Sequence, residues 1–287
     1  MLSIFIRLMV FTAALSSNMS EAKNITYMGL GGDRDAYHTE LLTEIFKYSP
    51  TQNYQINRYS EDLPHHRSFI FLDENKGIDI VIAYATEERD QKYLAVPIPI
   101  LKGLNGWRLS VVHKDNIDIL KNVANLADLK KFKVGQFHAW TDSKILMANG
   151  LQPVKGSDFI GLYHMLNKKR FDYLPRSILE IDHEVKSLSQ TERIDVVIEP
   201  NILIYYPTAF YFYVKKSNTE LARDLTKGLE AIIRNGKFDE IFYRHFGEII
   251  TKIRKEKRNI IVLKNPLLPK SAPLERKELW LNLFEPH

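Results

Sequence analysis

The chain of 287 residues contains no cysteine. This absence excludes disulfides, catalysis by a thiolate, zinc sites built from cysteine, and a lipid anchor on an N-terminal cysteine. The sequence also lacks a phosphate-binding loop, a nucleophile elbow and the histidine spacing of a metal site. We therefore predict that the protein holds no cofactor and no metal, and that it is not an enzyme.

A long apolar run is also missing from the chain. The apolar stretch at residues 8–15 follows Arg7, the first charged residue, and is well short of the ~20 residues of a membrane span. One positive charge, a short apolar core and small residues after it are typical of a secretory signal peptide. We predict that residues 1–22 are a signal peptide and that the mature protein acts in the periplasm. A buried N-terminal helix is the alternative.

Charge gives little sign of a polyanionic partner. The formal net charge is +5, and both signs are spread along the chain. Residues 252–258 form the densest basic run, but no aromatic residue interrupts it, and it follows a long helical pattern. A solvated helix end is therefore favoured over a contact with nucleic acid or lipid. We predict a monomer without a nucleic-acid partner.

Strand-like segments alternate with amphipathic helical segments along most of the chain. Residues 78–83 form a continuous apolar run, as expected of a strand that is buried on both faces. The alternation predicts an α/β fold of mainly parallel sheets flanked by helices. Extended segments near residues 107–112 and 206–214 predict two crossings between two lobes. The predicted division is residues 23–108 for the first lobe, 109–210 for the second lobe, and 211–287 for the return to the first lobe.

Two arginines follow strand-like runs. Arg89 comes after residues 78–83, and Arg176 comes after residues 171–174. Ligands of open α/β sheets bind beyond the carboxyl ends of the strands, so both guanidiniums are predicted to face a small anionic ligand. The alternative for each is a salt bridge with a carboxylate nearby in the sequence: Glu87 or Glu88 for Arg89, and Asp172 or Glu180 for Arg176.

A turn at residues 140–143 is a third candidate for the site. Thr141, Asp142 and Ser143 are residue types that cap the amino end of a helix, and such an end also binds anions. Capping alone explains these three residues as well as binding does. Trp140, directly before them, favours a turn that faces the ligand.

Three motifs occur in a fixed order along the chain. The first consists of Gly77, Asp79, Ile82, Thr86, Glu87 and Arg89; the second of residues 125–129 and 133–135; the third of residues 213–216, 221 and 235–242. Together they resemble the type II periplasmic solute-binding proteins, in particular the polar amino acid group of ABC-transporter substrate-binding proteins (family 3). The resemblance covers residues 24–247. It implies a two-lobed fold that closes by a hinge on a solute, and a membrane permease or sensor protein as partner.

The resemblance also implies roles for individual residues. Arg89 would hold a ligand carboxylate through two parallel hydrogen bonds, a geometry that lysine cannot reproduce. The Thr86 hydroxyl would lie nearby, and backbone amides of residues 140–143 would contact the same anion.

The chain departs from this family's pattern at the position of the ligand ammonium. An aspartate usually binds that group, but Ser177 stands at the corresponding position here, directly after Arg176. An α-amino acid would therefore lack its counter-charge unless Glu180 supplies it. Two arginines in one cleft would suit a ligand with two anionic groups, or with one anion and a neutral body. We predict a small anionic ligand, either amino-acid-like or another carboxylate.

Aromatic residues are predicted to contact the body of that ligand. Tyr84 stands where the family usually has a small hydroxyl residue, and it could stack on the ligand together with Trp140 and Tyr37.

The leading prediction is a solute-binding protein without catalytic activity. One alternative is a detached solute-sensing partner of a membrane signalling protein. The other is an enzyme on the same fold, such as a dehydratase, with an acid or base among Asp142, Glu180 and His138.

Overall fold

The computed structural model describes residues 22–32, 34–49, 53–192 and 194–284, so most of the predicted signal peptide lies outside the described residues. The strands are β1 Lys23–Met28, β2 Tyr54–Arg58, β3 Ile80–Tyr84, β4 Leu94–Val96, β5 Trp107–His113, β6 Gly135–Phe137, β7 Val154–Gly156, β8 Leu174–Ser177, β9 Val196–Ile198, β10 Ile202–Tyr205, β11 Phe210–Val214 and β12 Asn259–Val262. The α-helices are α1 Arg34–Phe46, α2 His65–Asp73, α3 Glu87–Lys92, α4 Leu126–Leu129, α5 Thr141–Ala148, α6 Phe159–Asn167, α7 Ile181–Thr191, α8 Thr219–Arg234 and α9 Lys237–Lys255.

Two five-stranded sheets form the two lobes, which confirms the predicted two-lobed α/β fold. The first sheet has the order β2-β1-β3-β11-β4, and the second has the order β12-β10-β5-β8, with β9 also paired to β5. Apolar side chains fill the space between the sheets and their helices. All seven residues of β5 are buried, for example, as expected of a central strand.

The strand directions differ from the mainly parallel arrangement that the sequence predicts. β1 is parallel to β2 and β3, but β11 is antiparallel to both β3 and β4. In the second sheet, β5 is antiparallel to β8, β9 and β10. The reason is visible in β11: its first residue, Phe210, pairs with the last residue of β3, Tyr84. The returning chain enters the first sheet where β3 leaves it and must run the opposite way.

The C-terminal segment also differs from its predicted place. β12 pairs in parallel with β10 and so extends the second sheet, whereas the sequence assigns the whole of residues 211–287 to the first lobe. The chain then turns back, and the Leu281 amide donates to the Lys102 carbonyl, 2.8 Å away, in the connection between β4 and β5. Leu279 and Leu283 are fully buried there. This apolar end therefore packs against the body, and the chain crosses between the lobes more often than the predicted two times.

The basic run at residues 252–258 lies mainly in the last turn of α9. Lys252 pairs with Asp182 at 2.7 Å, and the Arg254 Nε donates to the Leu283 carbonyl at 2.7 Å. Arg258, at the end of the run, pairs with Glu256 at 2.6 Å. These three cations therefore make contacts within the chain.

Two helical glycines give a matched test of packing. A β-carbon at Gly228 in α8 would lie 2.3 Å from the Ile45 carbonyl oxygen, whereas one at Gly247 in α9 would have no neighbour within 4 Å. We expect Gly228→Ala to lower the free energy of unfolding by about 1–3 kcal/mol, because α1 and α8 must move apart. Gly247→Ala should instead raise it by about 0.5–1 kcal/mol through helix propensity. Urea denaturation of both variants measures the difference, and equal effects would contradict close contact of α1 with α8.

Candidate ligand-binding site

A cavity of about 250 Å³ lies between the two lobes. On the first-lobe side it meets the carboxyl end of β3 and the start of β11; on the second-lobe side it meets the start of α5 and the end of β8. Its lining includes Tyr84, Arg89, Trp140, Thr141, Asp142 and Arg176 from the predicted set, and also Arg34, Asn105, Arg108, Glu180 and Glu184. A larger recess of about 680 Å³ adjoins it and shares Leu30, Arg34, Glu180 and Glu184. This cavity therefore collects most of the predicted site residues.

Arg89 reaches the cavity from the first turn of α3. One of its terminal nitrogens donates to the Tyr84 carbonyl at 2.8 Å, and its guanidinium lies 5.6 Å from the centre of the Phe69 ring. Among the described residues, no carboxylate oxygen lies within 4.0 Å of it, and Glu88 pairs with Lys92 instead. Burial lowers the pKa of Arg89, as expected of a cation without a nearby anion. The predicted alternative, a salt bridge with Glu87 or Glu88, is not formed.

Thr86 supports Arg89 from the amino end of the same helix. Its side-chain oxygen accepts a hydrogen bond from the Arg89 amide at 3.3 Å and so caps α3. The hydroxyl is half-buried and does not line the cavity. In this structure Thr86 contacts the helix that carries Arg89.

Tyr84 and Asp142 connect the lobes across the floor of the cavity. The Tyr84 hydroxyl donates to Asp142 Oδ1 at 3.3 Å and accepts from Asn105 Nδ2 at 2.9 Å. Asp142 Oδ1 also lies 2.7 Å from the Arg108 guanidinium and accepts from the Tyr206 hydroxyl. Burial raises the pKa of Tyr84, which keeps this hydroxyl protonated. Asp142 is thus an acceptor for three protein groups.

The turn before α5 contributes its residues unequally. Trp140 and Thr141 line the cavity, and the first amides of a helix have no partner within it. Ser143 is buried, and its hydroxyl donates to the Phe137 carbonyl at 2.8 Å. Ser143 therefore stabilises the turn, whereas Trp140 and Thr141 face the cavity.

Arg176 lies at the end of β8 and is bound to carboxylates. It donates to Glu180 at 2.6 Å and to Glu184 at 2.5 Å, and its guanidinium lies 4.2 Å from the centre of the Trp140 ring. The predicted alternative, a salt bridge with Glu180, is the one the structure shows. Asp172, the other suggested partner, accepts from the Lys133 amide instead.

Glu180 is also bound from the opposite lobe. Arg34, the first residue of α1, pairs with its second oxygen at 2.5 Å. Ser177, which the sequence places at the position of an ammonium-binding aspartate, is fully buried and accepts from the Leu179 amide at 3.3 Å. Ser177 carries no carboxylate, and both oxygens of Glu180 are paired with arginines.

The prediction for Tyr37 is wrong. Its side chain is fully buried, its hydroxyl donates to the Ile100 carbonyl, and its ring packs against Phe242 and Phe246 of α9. Like Leu41 on the same helix, Tyr37 is buried in the core and does not line the cavity. The sequence places it near the first strand but cannot show which side of the helix turns toward the cleft.

The ion pairs of Glu180 give a prediction on pH dependence. Burial acts to raise the pKa of Glu180, but Arg176 and Arg34 outweigh it and lower the pKa to about 2. An unfolded glutamate titrates near 4.3, so Glu180 stabilises the fold above about pH 4.3 and this contribution is lost as the pH falls toward 2. Between pH 5 and pH 2.5, we expect the free energy of unfolding to fall less in the Glu180→Gln variant than in the native protein. Urea denaturation across this range measures it, and parallel losses would contradict the pairing.

The candidate acids and bases named from the sequence are engaged by protein groups or lie outside the cavity. Glu180 is held ionised at neutral pH, and Asp142 is engaged by Arg108 and two tyrosine hydroxyls. His138 is exposed, with its Nδ1 3.1 Å from the Gly156 carbonyl, and does not line the cavity. Within the ranges that the structure describes, no three acidic or histidine side chains are grouped as a metal site would require.

Comparison with known proteins rests on structure. Neither a family model nor a curated protein matches this sequence. An ancestral arginine-binding protein bound to arginine is 21% identical with a TM-score of 0.53, over 78% of this chain and 98% of that one. The probable amino-acid ABC transporter extracellular-binding protein ytmK from Bacillus subtilis is 19% identical with a TM-score of 0.56, over 79% and 99%.

A sensor protein has the same fold. A histidine kinase sensor domain with similarity to periplasmic binding proteins is 14% identical, with a TM-score of 0.52, and the match covers 79% of this chain and 97% of that domain. In the described part of the chain, every helix is too short or too polar to cross a membrane. The chain has the two-lobed fold of periplasmic binding proteins, and Arg89 in the cleft between its lobes has no carboxylate partner among the described residues.

Proposed function

We propose that the protein is an exported solute-binding protein that captures a small anionic molecule, a carboxylate above all, between its lobes. The observation that carries this proposal is the state of Arg89, which is half-buried at the cavity and has no carboxylate partner among the described residues. A buried charge without a counter-ion is unfavourable, so a ligand that supplies the anion gains the interaction that the protein lacks.

The geometry gives such an anion contacts from both lobes. Arg89 belongs to α3 of the first lobe, and Thr141 opens α5 of the second lobe. A carboxylate between them would accept from the guanidinium and from the first amides of α5. Because one ligand group would touch both lobes, binding would stabilise the closed form, as it does in periplasmic binding proteins that close by a hinge.

The closed form would be recognised by a membrane protein, either the permease of an ABC transporter or a sensor. The similarity to ytmK favours transport, and the similarity to a histidine kinase sensor domain keeps sensing as the second candidate.

The direct test compares carboxylates with their uncharged amides in a thermal-shift assay on the mature protein. Suitable probes are butyrate with butyramide and 3-phenylpropionate with 3-phenylpropionamide, since each pair differs mainly in charge. A ligand at 100 times its dissociation constant adds about 2.7 kcal/mol to the folded state, so a binding carboxylate should raise the melting temperature by several degrees. Amides that stabilise as well as the acids, or a panel in which no carboxylate stabilises, would overturn the proposal.

A further inference from the structure

The cavity contains four guanidiniums and three carboxylates, and how they pair restricts the ligand. The guanidiniums belong to Arg34, Arg89, Arg108 and Arg176; the carboxylates belong to Asp142, Glu180 and Glu184. An amino acid would bring an ammonium as well as a carboxylate, and its ammonium would need one of these three carboxylates. The ammonium would therefore need a carboxylate that is not already paired with a cation.

Glu184 and Glu180 are both engaged. Glu184 accepts from two nitrogens of Arg176, at 2.7 and 2.5 Å, and from the Tyr163 hydroxyl at 2.7 Å. Glu180 accepts from Arg176 through one oxygen, at 2.6 Å, and from Arg34 through the other, at 2.5 Å. Two carboxylates thus share two guanidiniums, and their charges balance.

Asp142 is engaged by the third cation. Arg108 lies 2.7 Å from its Oδ1, which also accepts from the hydroxyls of Tyr84 and Tyr206. The Arg108 side chain is only 3% exposed. All three contacts are to Oδ1, so an ammonium at Oδ2 would share the single charge of Asp142 with Arg108, and one that drew the carboxylate away would leave a guanidinium buried without its anion.

We infer that the ligand of this cleft is a monoanion without an ammonium group: a small carboxylic acid with an uncharged body, and not an α-amino acid. This inference rests on the proposed function, because it assumes that Arg89 binds the ligand anion. Among the described residues that line the cavity, pairing leaves one positive charge, on Arg89, and no negative charge without a cation. An ammonium would lose its hydration in the cavity and gain no unpaired carboxylate in return.

The remaining wall of the cavity suits an uncharged body. Leu30, Ala139 and Phe210 line it, and the rings of Tyr84 and Phe210 lie with their centres 4.3 Å apart. One face of Trp140 is covered by Arg176, so the tryptophan offers the ligand its edge or its other face. An apolar ligand body that packs against these side chains would be removed from water, which favours its binding.

Arg34 determines this selectivity from the first lobe. It reaches across the cleft to Glu180, and without it Arg176 alone would serve both Glu180 and Glu184. Arg34→Gln would therefore bring the cavity to zero net charge and make Glu180 available to an ammonium. Arg34→Lys keeps the positive charge and should keep the preference.

The test uses isothermal titration of matched pairs that differ by the α-ammonium: 3-phenylpropionate with phenylalanine, 4-methylpentanoate with leucine, and 4-carbamoylbutanoate with glutamine. We expect the native protein to bind at least one ammonium-free acid at least about tenfold more tightly than its amino acid, a difference of about 1.4 kcal/mol. Arg34→Gln should reduce that ratio, and Arg34→Lys should not. The melting temperature of each variant shows that it is folded.

The outcomes separate this inference from the proposed function. An amino acid that binds as tightly as its ammonium-free partner, or more tightly, with both lost in Arg89→Ala, would overturn the inference and leave the proposed function in place. Binding that survives Arg89→Ala would overturn both. A ratio that Arg34→Gln leaves unchanged would overturn the role of Arg34.

Discussion

Arg89→Ala is expected to weaken the binding of a carboxylate ligand by about 100-fold or more. Removing one partner of a buried, hydrogen-bonded charge pair typically costs 2–5 kcal/mol, and no second cation in the described cavity is free to replace Arg89. The stability of the ligand-free protein should respond differently. Because burial lowers the pKa of Arg89, its charge opposes folding, and we expect its removal not to lower the melting temperature.

Two variants control for charge and for the general loss of an arginine. Arg89→Lys keeps the charge but not the planar fork, so it should lose about tenfold in affinity and no more. Arg67→Ala removes an exposed arginine that lies 5.8 Å from the Phe71 ring, outside the cavity, and should leave binding unchanged. Titration calorimetry with the same carboxylate measures all three variants. An Arg89→Ala protein that binds as the native one does would show that the ligand anion lies elsewhere.

Arg89 could be predicted from the sequence because its signals are local. The run at residues 78–83 predicts a buried strand, Thr86 is a helix-capping residue, and Arg89 follows three residues later. All of this information lies within one strand and the next helical turn. The same holds for Trp140 and Thr141, which stand between a short strand and the first turn of α5.

The charge balance of the cleft could not be predicted in this way. Arg34 and Glu180 are 146 positions apart, and their contact depends on how the two lobes meet. Arg108 lies within a strand-like run at the start of β5, where an arginine among buried residues could have indicated a site. Its partner Asp142, however, is also explained by its place in the first turn of a helix, so the sequence does not indicate that it pairs with an arginine. Pairing between distant segments decides which arginine is free, and local patterns do not contain that information.

The fold shows the same division between local and distant information. Helical spacing predicts the buried face of α8, and an apolar run predicts β3. Strand direction depends on where a returning segment enters the sheet, so the antiparallel β11 was not predicted. β12 was not predicted because residues 259–262 are only a short apolar run after a basic helix end. This segment forms a strand because it pairs with the edge of β10.

Asp142→Leu is expected to lower the free energy of unfolding by about 3–5 kcal/mol. The substitution leaves Arg108, with 3% of its side chain exposed, buried without a carboxylate, and removing one partner of a buried ion pair typically has an effect of this size. It also takes an acceptor from the hydroxyls of Tyr84 and Tyr206. Urea denaturation of the ligand-free protein measures the change.

A double-mutant cycle makes this prediction specific to the pair. Arg108→Met should also destabilise, because it leaves Asp142 buried without its cation, whereas the double variant should be more stable than either single variant. Asp195→Leu is the matched control: Asp195 pairs with Lys114 at 2.7 Å, but about half of each side chain is exposed, so the loss should be at most about 1 kcal/mol. If Asp142→Leu destabilises no more than Asp195→Leu, Arg108 does not depend on Asp142. The carboxylate would then be free for a ligand ammonium, and amino acids would return as candidates for this cleft.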